Sequence, residues 1–232
     1  MNLEFKANLT FVKITKWLTI LMILIIPLQV IIFMIEPMPE TALGWLELMR
    51  DKPILGLMHL DVLYIVNNTF LIFMYFTLYI TLKKDKASLL NIALITGIIG
   101  AILYYTSNRS IEMLLLSNKY FASQDMLLKS SLLATVESYL DIWKGTAFNV
   151  YYVLSAVSLI LFSIIMLKDS FYTKATGIIG LISGILMSVP SSIGMIGMVM
   201  ALLSLIPWIV FCVLIVIRLF RLDKENLLAL EN

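Results

Sequence analysis

The apolar residues of this chain gather into long blocks. Runs at 17–35, 54–82, 89–105, 146–167, 172–187 and 193–219 are separated by shorter polar or basic segments. The hydrocarbon core of a bilayer is about 30 Å thick, and roughly 20 residues of α-helix cross it. A helix satisfies its own backbone in lipid, so each run predicts a transmembrane helix. The expected fold class is therefore all-α: a polytopic transmembrane helical bundle of six spans, one domain over 1–232. The first run lacks the short apolar core and small-residue cleavage site of a signal peptide, and reads as an uncleaved span. Pro27 and Pro207 predict kinks in the first and last spans.

Helical patterning also occurs outside the spans. Within 36–53, Thr41 is placed to cap a short interfacial helix carrying Trp45, Leu46 and Met49, with Trp45 at headgroup level. Within 107–145, Leu132, Leu133, Val136, Tyr139, Leu140 and Trp143 recur at three- and four-residue steps. That spacing predicts an amphipathic helical segment from Asp125 to Trp143, on the membrane surface or capping the bundle. In span five, Gly180 and Gly184 form a GxxxG pair. The link Ser188 to Ser192 is very short, so the expected partner of that pair is the small-residue seam of span six, Gly194 to Ser204. Ser191 or Ser192 is placed to cap the sixth helix.

Composition agrees with the pattern. The chain is 61% hydrophobic and 14% charged, where a soluble domain carries about 25% charged residues. Charge then sets the orientation. With the amino end inside, the inner segments hold eleven Lys and Arg, among them Lys83, Lys84 and Lys86, and the outer segments hold six. The positive-inside rule selects both termini cytoplasmic, in the cell membrane, with 107–145 outside. The net charge of +2 gives no ground for a nucleic-acid partner. Basic and acidic residues balance within 107–145, which argues against a polybasic lipid-binding patch.

The chemistry is sparse. One histidine, His59, and one cysteine, Cys212, leave no bis-histidine haem, HExxH zinc site or CxxC motif. There is no GxSxG nucleophile elbow and no Gly-rich phosphate loop. No catalytic residue, metal or cofactor is expected. An intramembrane enzyme would have to rest on His59 and Asp61 alone, and is the weakest reading.

Polar residues inside the spans carry the remaining signal, because lipid cannot satisfy them. At about 100° per residue, Asp61, Tyr64, Asn68, Tyr75 and Tyr79 share one sector of span two, with His59 nearly opposite and Asn67 between. Asn149 and Tyr152 share a face of span four; Tyr151, Ser155 and Ser158 line an adjacent one. These groups either bond one another between helices or border a pocket. The pocket would lie in the outer half, bounded by Asp61, Tyr64, Asn68, Asn149 and Tyr152, with His59 nearby. Tyr139 and Trp143 would close it from above. Such a pocket suits a small amphipathic ligand; membrane lipids or a membrane partner protein are the other expected partners. A small transporter or channel built from two three-span halves is the alternative.

The carboxyl half reads GTAFNVYYVLSAVSLILFSIIML and then GIIGLISGILMSVPSSIGMIGMVMALLSLIPWIVF. It resembles an uncharacterised family of small prokaryotic multi-pass membrane proteins, over residues 145–220 and more loosely through the amino half. The resemblance implies a six-span helical bundle and no activity, so it assigns no functional residues.

Overall fold

The computed structural model describes residues 3–82 and 87–231. Ten helices run through them, with no strand among the described residues: α1 (Leu3–Ile35), α2 (Ala42–Asp51), α3 (Pro53–His59), α4 (Val62–Thr81), α5 (Ala87–Ser107), α6 (Ser110–Ala122), α7 (Met126–Trp143), α8 (Thr146–Met166), α9 (Lys174–Met187) and α10 (Gly194–Glu231). Five helical stretches are long and apolar enough to cross a bilayer, and they mark a membrane protein. They lie in Leu9–Ile35, Val62–Thr81, Ala87–Ala122, Met126–Met166 and Gly194–Asp223. Helix α9 is apolar but has 14 residues, about 21 Å at 1.5 Å per residue.

Six helices close into a ring. Helix α1 packs on α4, α4 on α5, α5 on α8, α8 on α9, α9 on α10, and α10 returns to α1. Half of the ring is filled by an apolar core that includes Met22, Met74, Leu78, Phe162, Phe211 and Ile215. Polar side chains join neighbouring elements, as when Ser158 Oγ of α8 donates to the Ala93 carbonyl of α5 at 2.7 Å and the Thr81 hydroxyl of α4 meets that of Tyr172, in the link between α8 and α9, at 2.9 Å. Lys16 and Asp223 form an ion pair where α10 meets α1, and the Lys16 ammonium lies 4.2 Å from the Phe220 ring centroid. A buried pair of this kind adds little by itself, but removing one partner strands the other charge.

The remaining four helices, α2, α3, α6 and α7, form a cap over one end of the ring. They share a separate core around Trp45, Leu46, Met49, Met113, Val136 and Trp143. Their boundaries follow from local chemistry. Thr41 caps α2, its hydroxyl accepting from the Gly44 amide at 3.1 Å, as its position predicts. Asp125 caps α7 through the amides of Leu127 at 2.9 Å and Leu128 at 3.4 Å. Pro53 opens α3 at a position where its missing N–H is no loss. Ser117 Oγ donates to the Leu46 carbonyl, and Asn108 Nδ2 to that of Leu60, each at 2.6 Å.

Several expectations need correction. Residues 54–82 are not one helix: α3 ends at His59 and α4 begins at Val62. Asp61 between them has φ 62°, a left-handed conformation that Asp tolerates better than most side chains. The break assigns α3 to the cap, so a single helical phase cannot relate His59 to Asp61. The interval 107–145 holds α6 as well as α7. The α7 periodicity is as read, with Leu132, Val136 and Trp143 buried, but they meet the cap core rather than lipid. Trp45 is buried in that core.

The glycine face of α9 meets α8, and at Gly180 also the Phe211 ring of α10, rather than the Gly194–Ser204 seam. A Cβ on Gly184 would lie 2.7 Å from Ile160 Cγ1 and 3.4 Å from the Ala156 carbonyl oxygen, and one on Gly180 would strike Ser163 Oγ. Helix α10 is reached through Ser183, whose Oγ donates to the Ser204 carbonyl at 3.2 Å. Ser192 donates to Asn149 Oδ1; it does not cap α10. Helices α1 and α10 extend beyond the expected spans, to Leu3 and Glu231. Lys83, Lys84 and Lys86 lie outside the described residues.

Candidate functional site

Asp61 stands where the cap meets the ring. One carboxylate oxygen accepts a hydrogen bond from Trp143 Nε1 at 3.0 Å, and the Tyr104 hydroxyl is a second neighbour. No ion pair involves Asp61 among the described residues. Asp61 precedes the apolar stretch of α4, and burial pushes its carboxyl up to about 7; the Trp143 hydrogen bond and the Lys144 charge pull the other way. The contacts continue into the cap. Trp143 lies edge-on to Trp45 at 5.9 Å, Trp45 edge-on to His59 at 6.5 Å, and His59 stacks on Phe33 of α1 at 5.5 Å. Both His59 ring nitrogens are buried without a hydrogen-bond partner. Burial holds this imidazole below its ordinary value, against the pull of Glu36. Asp61 thus latches α7 of the cap to α4 and α5 of the ring.

Beneath the latch lies a group of aromatic rings. Tyr64 is 6.4 Å from Tyr104, Tyr104 is 4.8 Å from Tyr151, and Tyr151 is 5.5 Å from Tyr152. Inside the ring, Tyr64, Tyr151 and Tyr152 of this group border a cavity of about 80 Å³. Helix α4 contributes Tyr64, Asn67 and Tyr75, and α8 contributes Tyr151, Tyr152 and Ser155. The opposite wall carries Ser183 of α9 with Ser204 and Trp208 of α10. No charged side chain lines it. Asn67 is 5% exposed, and its Oδ1 has no hydrogen-bond partner. Ser155, 1% exposed, sits beside the Tyr75 hydroxyl. The space takes a few water molecules, each with a share of about 30 Å³, or a chemical group of similar size.

The structure divides the expected site residues. Tyr64 and Tyr152 line the cavity. Asp61 and Trp143 bond to each other above it. Trp143 therefore covers Asp61 and does not roof the cavity. Tyr139 packs within the cap core, with the Arg109 guanidinium 5.9 Å from its ring, and is no lid either. His59 belongs to the contact between the cap and α1. Asn68 turns back on its own helix, its Nδ2 donating to the Tyr64 carbonyl at 2.9 Å, and lies against Tyr151. Asn149 is in the first turn of α8, where Nδ2 donates to the Gly145 carbonyl at 2.9 Å and Oδ1 accepts from Ser192. It ties α8 to the link between α9 and α10 and is absent from the cavity wall.

Asn67, Tyr75, Tyr151 and Ser155 were read as polar span positions but not placed in the site, and Ser183, Ser204 and Trp208 were not considered for it, yet all seven line the cavity. The Tyr151–Ser155 face of α8 was a usable signal, since two adjacent polar faces on one helix need two sets of partners. Ser183 was hidden within a glycine motif, and Ser204 counted only as a small residue. No sequence signal marks Trp208.

Chemically, the cavity is equipped to hold and orient a molecule by hydrogen bonds and aromatic contact. No nucleophile is paired with a base on its wall. Among the described residues, no group of three or more His, Cys, Asp or Glu side chains converges as a metal site would. The fold and site define a class, a helical multi-pass membrane protein with a cavity between its helices lined by aromatic, aliphatic and uncharged polar side chains. No known protein family, curated protein or solved structure matches the chain.

Proposed function

We propose that this is a six-span protein of the cell membrane, with both termini cytoplasmic, that binds a small amphipathic molecule in the cavity at the centre of its ring. It acts without catalysis. The observation that carries this reading is the buried, unpartnered Oδ1 of Asn67 on the wall of an internal cavity. A buried amide oxygen left unpaired costs about 1–3 kcal/mol, a penalty that a ligand or ordered water relieves. The sixth crossing is α9, which is apolar, occupies a full place in the ring, and needs its flanking residues or a locally thinner bilayer to complete the span. The excess of positive charge on the segments assigned to the inside supports the orientation.

Native mass spectrometry of the gently extracted protein tests the proposal. The expected result is a one-to-one adduct that persists after bulk lipid is stripped and that is lost when Ala201→Phe fills the cavity from α10. A spectrum showing only graded lipid adducts, alike in both proteins, would remove the reading.

A further inference from the structure

We infer that the occupant of the cavity is an uncharged amphiphile with a hydroxyl head, and that it reaches the cavity from the outer leaflet across the outer half of α10. This rests on the reading that the cavity binds a ligand, and deepens it.

The absence of charge follows from the wall. Its polar groups are the hydroxyls of Tyr and Ser and the amide of Asn67, with the Trp208 indole. A charged head placed there would be buried without a counter-ion, at a cost far above that of burying a neutral polar group. Asp61 does not supply the counter-charge, because its carboxylate faces Trp143 and Tyr104 on the cap side and does not line the cavity.

The hydroxyl follows from what the wall lacks. Asn67 presents an acceptor oxygen with no donor. Ser155, buried beside Tyr75, can donate or accept. A single hydroxyl donates to one and accepts from the other, whereas an ether or ester offers no proton to Asn67.

The route follows from size and exposure. About 80 Å³ holds a head group and not an attached chain, so the chain leaves the ring. Of the α10 residues on the wall, Ala201, Leu205 and Trp208 are half-buried and Ser204 is buried, whereas Asn67, Tyr75 and Ser155 across from them are all buried. The ties of α10 to α1 lie toward its other end, where Lys16 pairs with Asp223 and Trp17 lies edge-on to Phe220 at 5.9 Å. The first half of α10 instead exposes Ile196, Leu202 and Ile206. In the proposed topology that half lies in the outer leaflet.

Three probes with the same chain separate the possibilities: decanol, decanoate and decyltrimethylammonium, titrated against the full chain in lipid nanodiscs and counted by native mass spectrometry. Decanol is expected to bind one-to-one, in preference to both charged probes. Asn67→Leu should weaken it several-fold, up to about tenfold, as the loss of one hydrogen bond implies. Ala201→Phe, which leaves Asn67 intact, should also weaken it and keeps the test open if Asn67→Leu fails to fold. Decanol bound equally by wild type and Asn67→Leu overturns the hydroxyl assignment. A charged probe that binds as tightly as decanol, and is blocked by Ala201→Phe, overturns the neutral class while leaving the cavity as a site. If no probe binds above the Ala201→Phe level and no native adduct is retained, the cavity reading fails as well.

Discussion

At the scale of single residues, Asp61 is the group whose titration matters. Its folded-state carboxyl is raised to about 7 by burial, against roughly 3.9 in an unfolded chain. The neutral form is therefore favoured by folding. Its contribution to stability is complete below the unfolded value and is lost as pH rises through about 7. His59 runs the other way: burial lowers its imidazole, so it adds stability as pH rises through the ordinary histidine range. Asp61→Asn keeps an acceptor for Trp143 and removes the titration. The melting temperature of the wild type in detergent, relative to Asp61→Asn, should fall between pH 5 and 8. The His59 effect is present in both proteins and cancels. Parallel profiles would show that Asp61 is not buried as the structure has it. The sequence made Asp61 conspicuous as an acid near the start of an apolar run. It did not reveal that the backbone turns left-handed there, nor that the partner is an indole 82 residues away. Long-range contacts of that kind leave no periodic trace.

At the scale of elements, helix packing separates what spacing predicts from what it does not. The GxxxG spacing correctly marked a close approach by α9, because only small residues let backbones come near. It carried no information about which helix approaches: proximity along the chain favoured the Gly194–Ser204 seam of α10, whereas the glycines meet α8, with Phe211 of α10 beside Gly180 alone. Gly184→Leu should drive a side chain into Ile160 and the Ala156 carbonyl, costing about 1–3 kcal/mol. Pairing it with Ile160→Ala should recover part of that loss, while Gly184→Leu with Ser204→Ala should not. Equal rescue by both second changes would return the contact to α10. The cap shows the same division. Three- and four-residue spacing located α7 and its buried face, and Thr41 located α2. Helix α6 was not read as a separate helix because Ile111 to Leu116 is nearly continuous in its apolar residues, without a clean three- and four-residue step, and Ile111 and Leu115 remain exposed.

At the scale of the whole molecule, the helical class and the apolar stretches were legible because hydrocarbon imposes length and composition directly. The ring and the cap were not, since both depend on which helices meet. The proposed topology gives a direct expectation. Gln124→Cys, in the turn between α6 and α7, should react with an impermeant thiol reagent in intact cells. Ser170→Cys, between α8 and α9, should react only after the membrane is opened. The native Cys212 is buried and should stay silent. Labelling of Ser170→Cys in intact cells would overturn the orientation.

The claim on which the account turns is that the space beside Asn67 is occupied in the membrane. A density map of the protein in lipid nanodiscs, at a resolution that shows ordered small molecules, measures this directly. The account predicts non-protein density within hydrogen-bonding distance of Asn67 Oδ1, continuing past Ala201 toward the outer leaflet, and absent in Ala201→Phe. An empty cavity, or a collapsed one in which Asn67 bonds directly to Ser155 or Tyr151, would contradict it.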